Sequence, residues 1–346
     1  MAVIGADTFM SGAELAVVVI GRNEGKRLVA CFESIRASNG LPESAELIYV
    51  DSNSTDGSPE RAEACGAKVL VVGAGKLSAA RARNLGWRAA TAPIVLFLDG
   101  DTILHPDFVA RGMKEFENQQ VAVVWGHRRE IRPEASIYNR ILDLDWIFPA
   151  GLTAYCGGDA LVRRASLERA NGFNPDLIAG EEPDLCRRMR AAGDQILHID
   201  VPMTGHDISM FHFSQYWRRA VRTGHAYAEI ADRYRTSPDP FWSKEARANI
   251  LRGSFYALAG IGVFAAAILA GSLLPLFAGL LGFAILSVRT ALKSKWKGVS
   301  WNTLLLFGIH SHVQQVPVLQ GQIQYKLGRW RKQESELIEY KDGPQQ

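Results

Sequence analysis

Two carboxylates stand at the end of an apolar segment in the N-terminal half of the chain. Residues 94–98 are Ile-Val-Leu-Phe-Leu, and Asp99, Gly100 and Asp101 follow directly. An uninterrupted apolar run of this length predicts a strand that is buried on both faces. Carboxylates so close together repel each other unless a cation lies between them, and Mg²⁺ and Mn²⁺ prefer such oxygen ligands. The segment therefore predicts a divalent-metal site, with a plain acidic turn as the alternative.

Three further apolar segments have the same strand character. They cover residues 15–20, 47–50 and 67–72, and helical patterns separate them, the last over about residues 78–90. Alternation of strands with helices predicts a parallel, doubly wound sheet.

Polar side chains follow these predicted strands where each one ends. Asn23 and Glu24 come after the first strand, Asp51 ends the second, and Asp99 and Asp101 end the fourth. Open α/β sheets bind ligands in the crevice outside the carboxyl ends of their strands. We therefore expect these side chains to line one ligand site. No Gly-x-Gly-x-x-Gly motif follows the first strand, which argues against a dinucleotide-dependent oxidoreductase.

The order and spacing of these motifs resemble the family 2 glycosyltransferases over about residues 14–235. The matching segments are Val17–Glu24, Val50–Gly57, Ala80–Gly86, Leu98–Asp101 and Gly180–Leu185. The resemblance implies an α/β catalytic domain of the GT-A type, Rossmann-like with a mostly parallel sheet. It also implies an inverting transfer of a sugar from a nucleoside diphosphate.

The resemblance assigns donor-binding roles to residues of the N-terminal half. Asp51 would accept a hydrogen bond from the nucleotide base, and Asn23 and Glu24 would line the same pocket. Arg83 and Arg81 would approach the diphosphate, since a guanidinium group matches phosphate oxygens. A solvated helix face is the alternative for the two arginines.

The resemblance also implies a metal cofactor, Mg²⁺ or Mn²⁺. Asp101 would bind it, and Asp99 would lie near the metal or the donor ribose. His206, which follows a predicted short strand over residues 196–201, is a candidate third ligand. A purely structural histidine is the alternative there.

A second acidic cluster supplies candidates for the general base. In the family this position is Glu-Asp-x-Asp, and its second acid is the base; here the segment is Glu181-Glu182-Pro183-Asp184. The base is thus one of Glu182, Asp184 and Glu181, and we favour Glu182. Acids at the start of a helix over residues 183–192 would also interact favourably with the helix dipole.

A glycine-rich turn precedes a predicted strand that resembles the acceptor side of the family. It contains Gly158 and Asp159, and Asp159 would hold an acceptor hydroxyl group. A plain turn is the alternative.

The C-terminal third of the chain contains a long uncharged segment. Residues 253–288 have no charged side chain, and as one helix they would extend ~54 Å, against a hydrocarbon core of ~30 Å. Residues 271–275 can break that helix. We expect a hydrophobic hairpin of two short spans, with a re-entrant hairpin as the alternative. Basic residues flank both ends, which places both on the cytoplasmic side.

Basic residues and tryptophans follow the uncharged segment. Residues 289–332 contain no Asp or Glu, although the net charge of the whole chain is only +3. This composition is typical of a membrane interface and predicts anionic lipids as partners rather than nucleic acid.

The predicted organisation has four parts: an N-terminal extension (1–13), a GT-A domain (14–245), a membrane-associated helical region (246–332) and a polar tail (333–346). The helical region includes an interfacial segment near residues 300–328.

Together these features predict a membrane-anchored, metal-dependent, inverting glycosyltransferase. Its donor would carry uridine diphosphate in preference to guanosine diphosphate. Its acceptor would be a polyprenyl-linked glycan in polysaccharide or glycan biosynthesis, at the cell inner membrane, with the catalytic domain cytoplasmic. One alternative is direct transfer to polyprenyl phosphate or another lipid head group. The other is a non-catalytic scaffold of a synthase complex, against which the retained acidic residues argue.

Overall fold

The computed structural model describes residues 13–73, 75 and 77–332. Apart from Ala13, the predicted N-terminal extension and the predicted polar tail lie outside the described residues. The described chain forms two compact units. The first contains residues 13–126, 151–173 and 188–203, and the second contains residues 127–150, 174–187 and 204–332.

The described residues form one sheet of nine strands. The strands are β1 (Leu15–Gly21), β2 (Glu46–Asp51), β3 (Lys68–Val71), β4 (Ile94–Asp99), β5 (Thr102–Leu104), β6 (Val121–Glu130), β7 (Gly151–Leu152), β8 (Ala160–Arg163) and β9 (Gln195–His206). Their order is β3-β2-β1-β4-β8-β6-β9-β5, and β7 pairs with β9. The parallel part that the sequence predicts, β3-β2-β1-β4, is confirmed. The sheet as a whole is mixed, because β8 is antiparallel to both β4 and β6.

Helices connect the strands and make up the C-terminal part of the described chain. They are α1 (Lys26–Arg36), α2 (Ser58–Ala64), α3 (Ala79–Ala89), α4 (Phe108–Gly112), α5 (Ile137–Asp143), α6 (Arg164–Arg169), α7 (Glu181–Ala191), α8 (Phe213–Arg233), α9 (Ser243–Ala270), α10 (Leu274–Lys293), α11 (Trp301–Val313) and α12 (Gln315–Trp330). Single turns of 3₁₀ helix lie at Met113–Glu117, Pro133–Ala135, Leu144–Trp146 and Lys295–Lys297.

The core of the first unit forms around β1 and β4. Their apolar side chains are almost completely buried, as expected for strands covered on both faces. Helix α3 packs closely against this sheet at Gly86, where a Cβ atom would collide with the side chain of Val18. The missing side chain therefore lets the helix backbone approach the strands that carry the predicted ligand site.

The strand predicted over residues 196–201 is longer than expected. β9 continues to His206, so this histidine is the last residue of a strand rather than part of a following loop. Pro202 has no N–H group and is typical of a strand end, which explains the short prediction. Backbone hydrogen bonds are made beyond this proline: the carbonyl of Met203 accepts one from the N–H group of His105 (2.8 Å), and the carbonyl of His206 accepts one from the N–H group of Ile131 (3.1 Å).

Glycines set the close packing of the helices in the second unit. A Cβ atom on Gly224 of α8 would collide with the Val318 backbone of α12, and one on Gly321 of α12 would collide with the Val221 backbone of α8. Helix backbones can approach so closely only where side chains are absent. α12, which falls in the predicted interfacial segment, thus packs directly on α8.

The helices α9 and α10 expose apolar side chains around their circumference. Both are long and apolar enough to cross a membrane, and few of their side chains are buried within the protein. The chain breaks where the sequence predicts, because Gly271 adopts a left-handed conformation (φ 57°) and Pro275 lies in the first turn of α10. A core helix of a soluble protein would instead be mostly covered.

Candidate active site

Three parallel strands bring their polar ends to one edge of the sheet. Gly21 at the end of β1 is in register with Asp51 of β2, and Ile20 is in register with Asp99 of β4. The N–H group of Gly100 donates to the carbonyl of Ile20 (2.8 Å), which ties the end of β4 to β1. Asp51 and Asp99 therefore flank the end of the central strand, as the sequence predicts.

The carboxylate of Asp51 is buried and held from two sides. The Tyr49 hydroxyl donates to its Oδ1 atom (3.0 Å), and the N–H group of Ser54 donates to its Oδ2 atom (2.8 Å). Burial and the charge of Asp51 raise the pKa of Tyr49 well above its usual value, so its hydroxyl remains a donor. Tyr49 was not singled out from the sequence, although its place two residues before Asp51 puts both side chains on one face of the strand.

The turn after β1 is joined to the turn after β2. Asn23 has a left-handed backbone (φ 57°), and its Oδ1 atom accepts a hydrogen bond from the N–H group of Thr55 (2.8 Å). Its own N–H group donates to the Ser54 Oγ atom (2.9 Å). The neighbouring Glu24 forms an ion pair with Arg27 (2.8 Å). These contacts give the expected nucleotide-pocket residues a fixed geometry.

Asp99 and Asp101 form a pair of oxygen ligands at the end of β4. A carboxylate oxygen of each lies within 4.8 Å of one from the other, and the Asp101 side chain is buried. Two carboxylates at this separation fit a hard divalent cation such as Mg²⁺ or Mn²⁺, which takes oxygen ligands. At Gly100, between them, there is little space for a side chain, because a Cβ atom there would lie 3.1 Å from Glu24 Cγ.

Arg83 is the ion-pair partner of Asp99. Its Nη2 atom lies 2.9 Å from Asp99 Oδ1, and its buried guanidinium group lies 5.6 Å from the centre of the Phe173 ring. Arg81 lies on the first turn of α3, where its N–H group donates to Ser78 Oγ (3.3 Å), and it is only partly buried. The contact of Arg83 with the diphosphate remains a prediction, whereas its support of Asp99 is observed.

Asp159 also supports the metal-ligand pair. Its side chain is completely buried, and its Oδ1 atom accepts a hydrogen bond from the N–H group of Asp99 (3.0 Å). The contact arises because β8 lies beside β4, a pairing that periodicity along the sequence does not show. Binding of an acceptor by Asp159 and Gly158 stays a prediction.

The second unit contains the predicted general-base cluster at the start of α7. Glu181 and Asp184 are buried, whereas Glu182 is partly exposed. The Tyr234 hydroxyl donates to Asp184 Oδ1 (2.7 Å), and the N–H group of Asp184 donates to the Gly180 carbonyl (3.1 Å). Helix α7 therefore begins two residues earlier than predicted. Glu182 is the most accessible acid of the three.

His206 lies in the second unit at the end of β9 and is buried. The ring of Trp146 meets it edge-on, with 4.9 Å between the ring centres. Its carbonyl accepts a hydrogen bond from the N–H group of Ile131 (3.1 Å). Its metal role remains a prediction.

Comparison with known proteins assigns the part of the chain that carries Asn23, Asp51, Asp99 and Asp101. Residues 16–170 match the family model described as glycosyl transferase family 2. This part of the chain is a family 2 glycosyltransferase domain. The domain includes Asn23, Asp51, Asp99 and Asp101, so the resemblance drawn from the motifs is confirmed for residues 16–170, and its Gly180–Leu185 segment stays a prediction.

Curated relatives of the glycosyltransferase domain include an enzyme from Mycobacterium tuberculosis. The pre-mycofactocin glycosyltransferase of strain CDC 1551 is 30% identical over 141 residues, which cover 37% of this chain and 30% of the relative. The same enzyme from strain H37Rv matches equally. The chain thus matches less than a third of the length of these relatives.

Solved structures show that the fold extends beyond the matched domain. The mannosyltransferase PcManGT from Pyrobaculum calidifontis, in complex with GDP-Man and Mn²⁺, superposes with a TM-score of 0.65. The superposition covers 94% of this chain and 89% of that chain, at 20% identity. A likeness at this identity concerns the fold, which is the GT-A fold that the sequence predicts.

Proposed function

We propose that the protein is an inverting, metal-dependent glycosyltransferase that transfers a sugar from a nucleoside-diphosphate sugar to an acceptor at a membrane. The observation that carries the proposal is the convergence of Asp51, Asp99 and Asp101 at one edge of the sheet in the family 2 domain. A nucleotide-binding carboxylate beside a pair of metal ligands fits a donor whose diphosphate is bridged to a cation.

The donor nucleotide would be held on the strand ends of the first unit. Asp51 Oδ2 and Oδ1 are already fixed by Ser54 and Tyr49, so the carboxylate is oriented before a base binds. Asn23 and Glu24 border it, and Arg83 and Arg81 would approach the diphosphate. We favour uridine diphosphate over guanosine diphosphate, although the structural neighbour PcManGT is in complex with GDP-Man.

The metal would be Mg²⁺ or Mn²⁺, held by Asp101 and Asp99, with His206 as a proposed third ligand. A bound cation of this kind stabilises the negative charge that develops on the departing nucleoside diphosphate. Arg83 keeps Asp99 in place through their ion pair of 2.9 Å, and Asp159 fixes the backbone at the same residue. The protein thus supplies an oriented carboxylate pair.

Glu182 is the proposed general base. It would take the proton of an acceptor hydroxyl while that oxygen bonds to the anomeric carbon and the bond from this carbon to the diphosphate breaks. A single displacement inverts the anomeric centre. Glu182 is partly exposed, whereas Asp184 is buried and hydrogen-bonded to Tyr234. This difference supports Glu182 over Asp184 and over the buried Glu181.

The acceptor would be membrane-associated. The exposed apolar helices α9 and α10 support insertion into the cell inner membrane, and the basic residues on both sides of them favour a cytoplasmic catalytic domain. Nucleotide sugars are made in the cytosol, which agrees with that orientation. A polyprenyl-linked glycan is the proposed acceptor, and anionic lipids would surround the basic segment that follows α10.

Calorimetric titration of the detergent-solubilised chain tests the donor part of the proposal. UDP, GDP and CDP are titrated separately, each with Mn²⁺ and each with a chelator. We expect one nucleotide, UDP, to bind in the presence of Mn²⁺ and to bind far more weakly with the chelator. If none of the nucleotides binds under either condition, a non-catalytic scaffold becomes the better proposal.

A further inference from the structure

The last residue of β9 and the short segment after it form hydrogen bonds with the end of β6, with α5 and with the N-cap residue of α5, all within the second unit. The N–H group of Ile208 donates to Glu130 Oε2 (2.9 Å), and the N–H group of Met210 donates to Asn139 Oδ1 (3.1 Å). The Ser136 hydroxyl donates to the Met210 carbonyl (2.6 Å). We call residues 206–210 the β9 extension. Its backbone is therefore held at Ile208 and again at Met210.

Glu130 and Asn139 form the centre of this arrangement and contact each other. Asn139 Nδ2 donates to Glu130 Oε1 (3.4 Å), which also accepts a hydrogen bond from the N–H group of Arg132 (2.9 Å). Both side chains are buried, at 6% and 0% exposure. A buried carboxylate is costly unless its oxygens are hydrogen-bonded, and Glu130 uses both oxygens to hold backbone.

A second contact fixes the middle of the β9 extension. Arg132 Nη2 lies 2.6 Å from Asp207 Oδ2, and the Ser209 hydroxyl donates to Asp207 Oδ1 (2.7 Å). Ser209 has a left-handed backbone (φ 49°). A residue other than glycine persists in that conformation only where its surroundings over-determine it, and such strain is typical of functional sites. The β9 extension thus includes one residue in an uncommon backbone conformation, beside the contacts that fix Asp207.

We propose that Glu130 and Asn139 are positioning residues, which fix the β9 extension and thereby orient the His206 imidazole for a divalent cation. The inference rests on the proposed role of His206 as a metal ligand. The Ile131 N–H group, one residue after Glu130, holds the carbonyl of His206 itself (3.1 Å), so the end of β6 controls the backbone of the histidine. Groups that orient metal ligands without contacting the metal affect metal affinity by about 10–100-fold.

The variant Glu130→Gln tests the proposal in the full chain, with Mn²⁺ alone as the probe. The amide has the size of the carboxylate, but only its oxygen can accept a hydrogen bond. Both oxygens of Glu130 accept one from a backbone N–H group. We expect Mn²⁺ affinity, measured by electron paramagnetic resonance, to fall by about 10-fold or more. The matched control is Glu134→Gln, on the same segment, whose side chain is 77% exposed. It should bind Mn²⁺ as the unaltered protein does.

A double-mutant cycle with His206→Ala separates positioning from general stabilisation. If Glu130 acts through His206, Glu130→Gln has no further effect on Mn²⁺ affinity once His206 is alanine. An equal loss in both backgrounds would overturn the inference, because Glu130 would then act elsewhere. The inference would also be overturned if His206→Ala weakened Mn²⁺ binding and Glu130→Gln did not.

The same cycle distinguishes a failure of the proposed function. Unaltered Mn²⁺ affinity of His206→Ala would remove His206 from the metal site, and the positioning role would be removed with it. The weak, metal-independent affinity for UDP in the chelator should be the same in all variants, which shows that the donor pocket is intact. If Glu130→Gln does not fold, Asn139→Ala takes its place, because it removes the acceptor for the Met210 N–H group while the N–H groups of Arg132 and Ile208 can still donate to Glu130.

Discussion

Replacing Asp101 by asparagine keeps the shape of the side chain and removes its charge. The buried Asp101 carboxylate lies within 4.8 Å of the Asp99 carboxylate, so Asp101→Asn would leave one charged ligand of the pair. We expect the Mn²⁺-dependent part of nucleotide binding to weaken by at least about 10–100-fold. Loss of a group that only supports a metal ligand already has an effect of that size. Calorimetry with and without chelator measures it. The exposed Asp176→Asn serves as control, and unaltered Mn²⁺ dependence in Asp101→Asn would remove Asp101 from the metal site.

Glu182 can be tested as the base because two substitutions differ in a single property. Glu182→Gln removes the proton acceptor, so donor binding should persist while the rate of sugar transfer falls by about 10²–10⁴-fold. Glu182→Asp keeps a carboxylate and restores the acid that the family has at this position, so its rate should fall much less. A transfer assay with saturating donor distinguishes them. Nearly full activity of Glu182→Gln would assign the base to another acid.

Glycines decide how closely α8 and α12 pack. Gly321→Ala would place a methyl group against the Val221 carbonyl oxygen, so the two helices must separate, at a cost of about 1–3 kcal/mol. Gly328→Ala lies on the same helix with nothing within 4 Å of its added Cβ atom, and it should stabilise α12 by up to about 1 kcal/mol. Thermal unfolding in detergent should therefore shift in opposite directions. Equal shifts would contradict the close packing.

Asp145 links the segment after α5 to α8 and α11. Its Oδ2 atom lies 3.5 Å from His310 Nε2 and 3.9 Å from Arg219 Nη1. Burial alone would raise the pKa of Asp145, but the charge of His310, a hydrogen bond from it, and the charges of Arg219 and Lys297 hold that pKa below its usual range. A carboxylate whose pKa is lowered by folding stabilises the folded state above its unfolded pKa of about 3.9 and loses this effect as the pH falls through the lower folded value.

Asp145→Asn should therefore lower the unfolding temperature at pH 7, by an amount that corresponds to about 1 kcal/mol. The difference from the unaltered protein should shrink as the pH falls below about 4, where the carboxylate begins to be protonated. Thermal unfolding across this pH range measures it, with Asp176→Asn as the control. A difference that does not depend on pH would mean that the charge of Asp145 is not what stabilises the contact.

The whole molecule is expected to have one orientation in a membrane. Arg247 and Arg252 precede the uncharged part of α9, and Arg289 and Lys293 end α10, so the positive-inside rule places both ends of the hairpin on the cytoplasmic side. In sealed inside-out vesicles, protease should degrade the glycosyltransferase domain without detergent. In right-side-out vesicles it should be protected until detergent is added. Protection in the inside-out vesicles would reverse the proposed orientation.

Local sequence was sufficient to predict the parallel strands and the polar residues at their ends. The short apolar run over residues 94–98 was enough to predict a buried strand, and the acids that follow it lie at its carboxyl end. The break at Gly271 was equally local, because glycine and a nearby proline determine it. By contrast, the predicted strand over residues 196–201 ended too early, because the hydrogen bonds made by the last residues of β9 come from distant parts of the sequence.

The sequence by itself thus determined the family 2 domain, the edge of the sheet where Asp51, Asp99 and Asp101 lie, and a pair of apolar helices, although these helices extend beyond the predicted short spans. Periodicity and short motifs act over a few residues, and these features need no more than that. Only the tertiary structure showed that the Asp99 N–H group donates to Asp159, 60 residues away in sequence, and that the Ile208 N–H group donates to Glu130, 78 residues away. Such contacts depend on which strands and helices become neighbours, because buried polar groups must find their partners wherever the chain brings them.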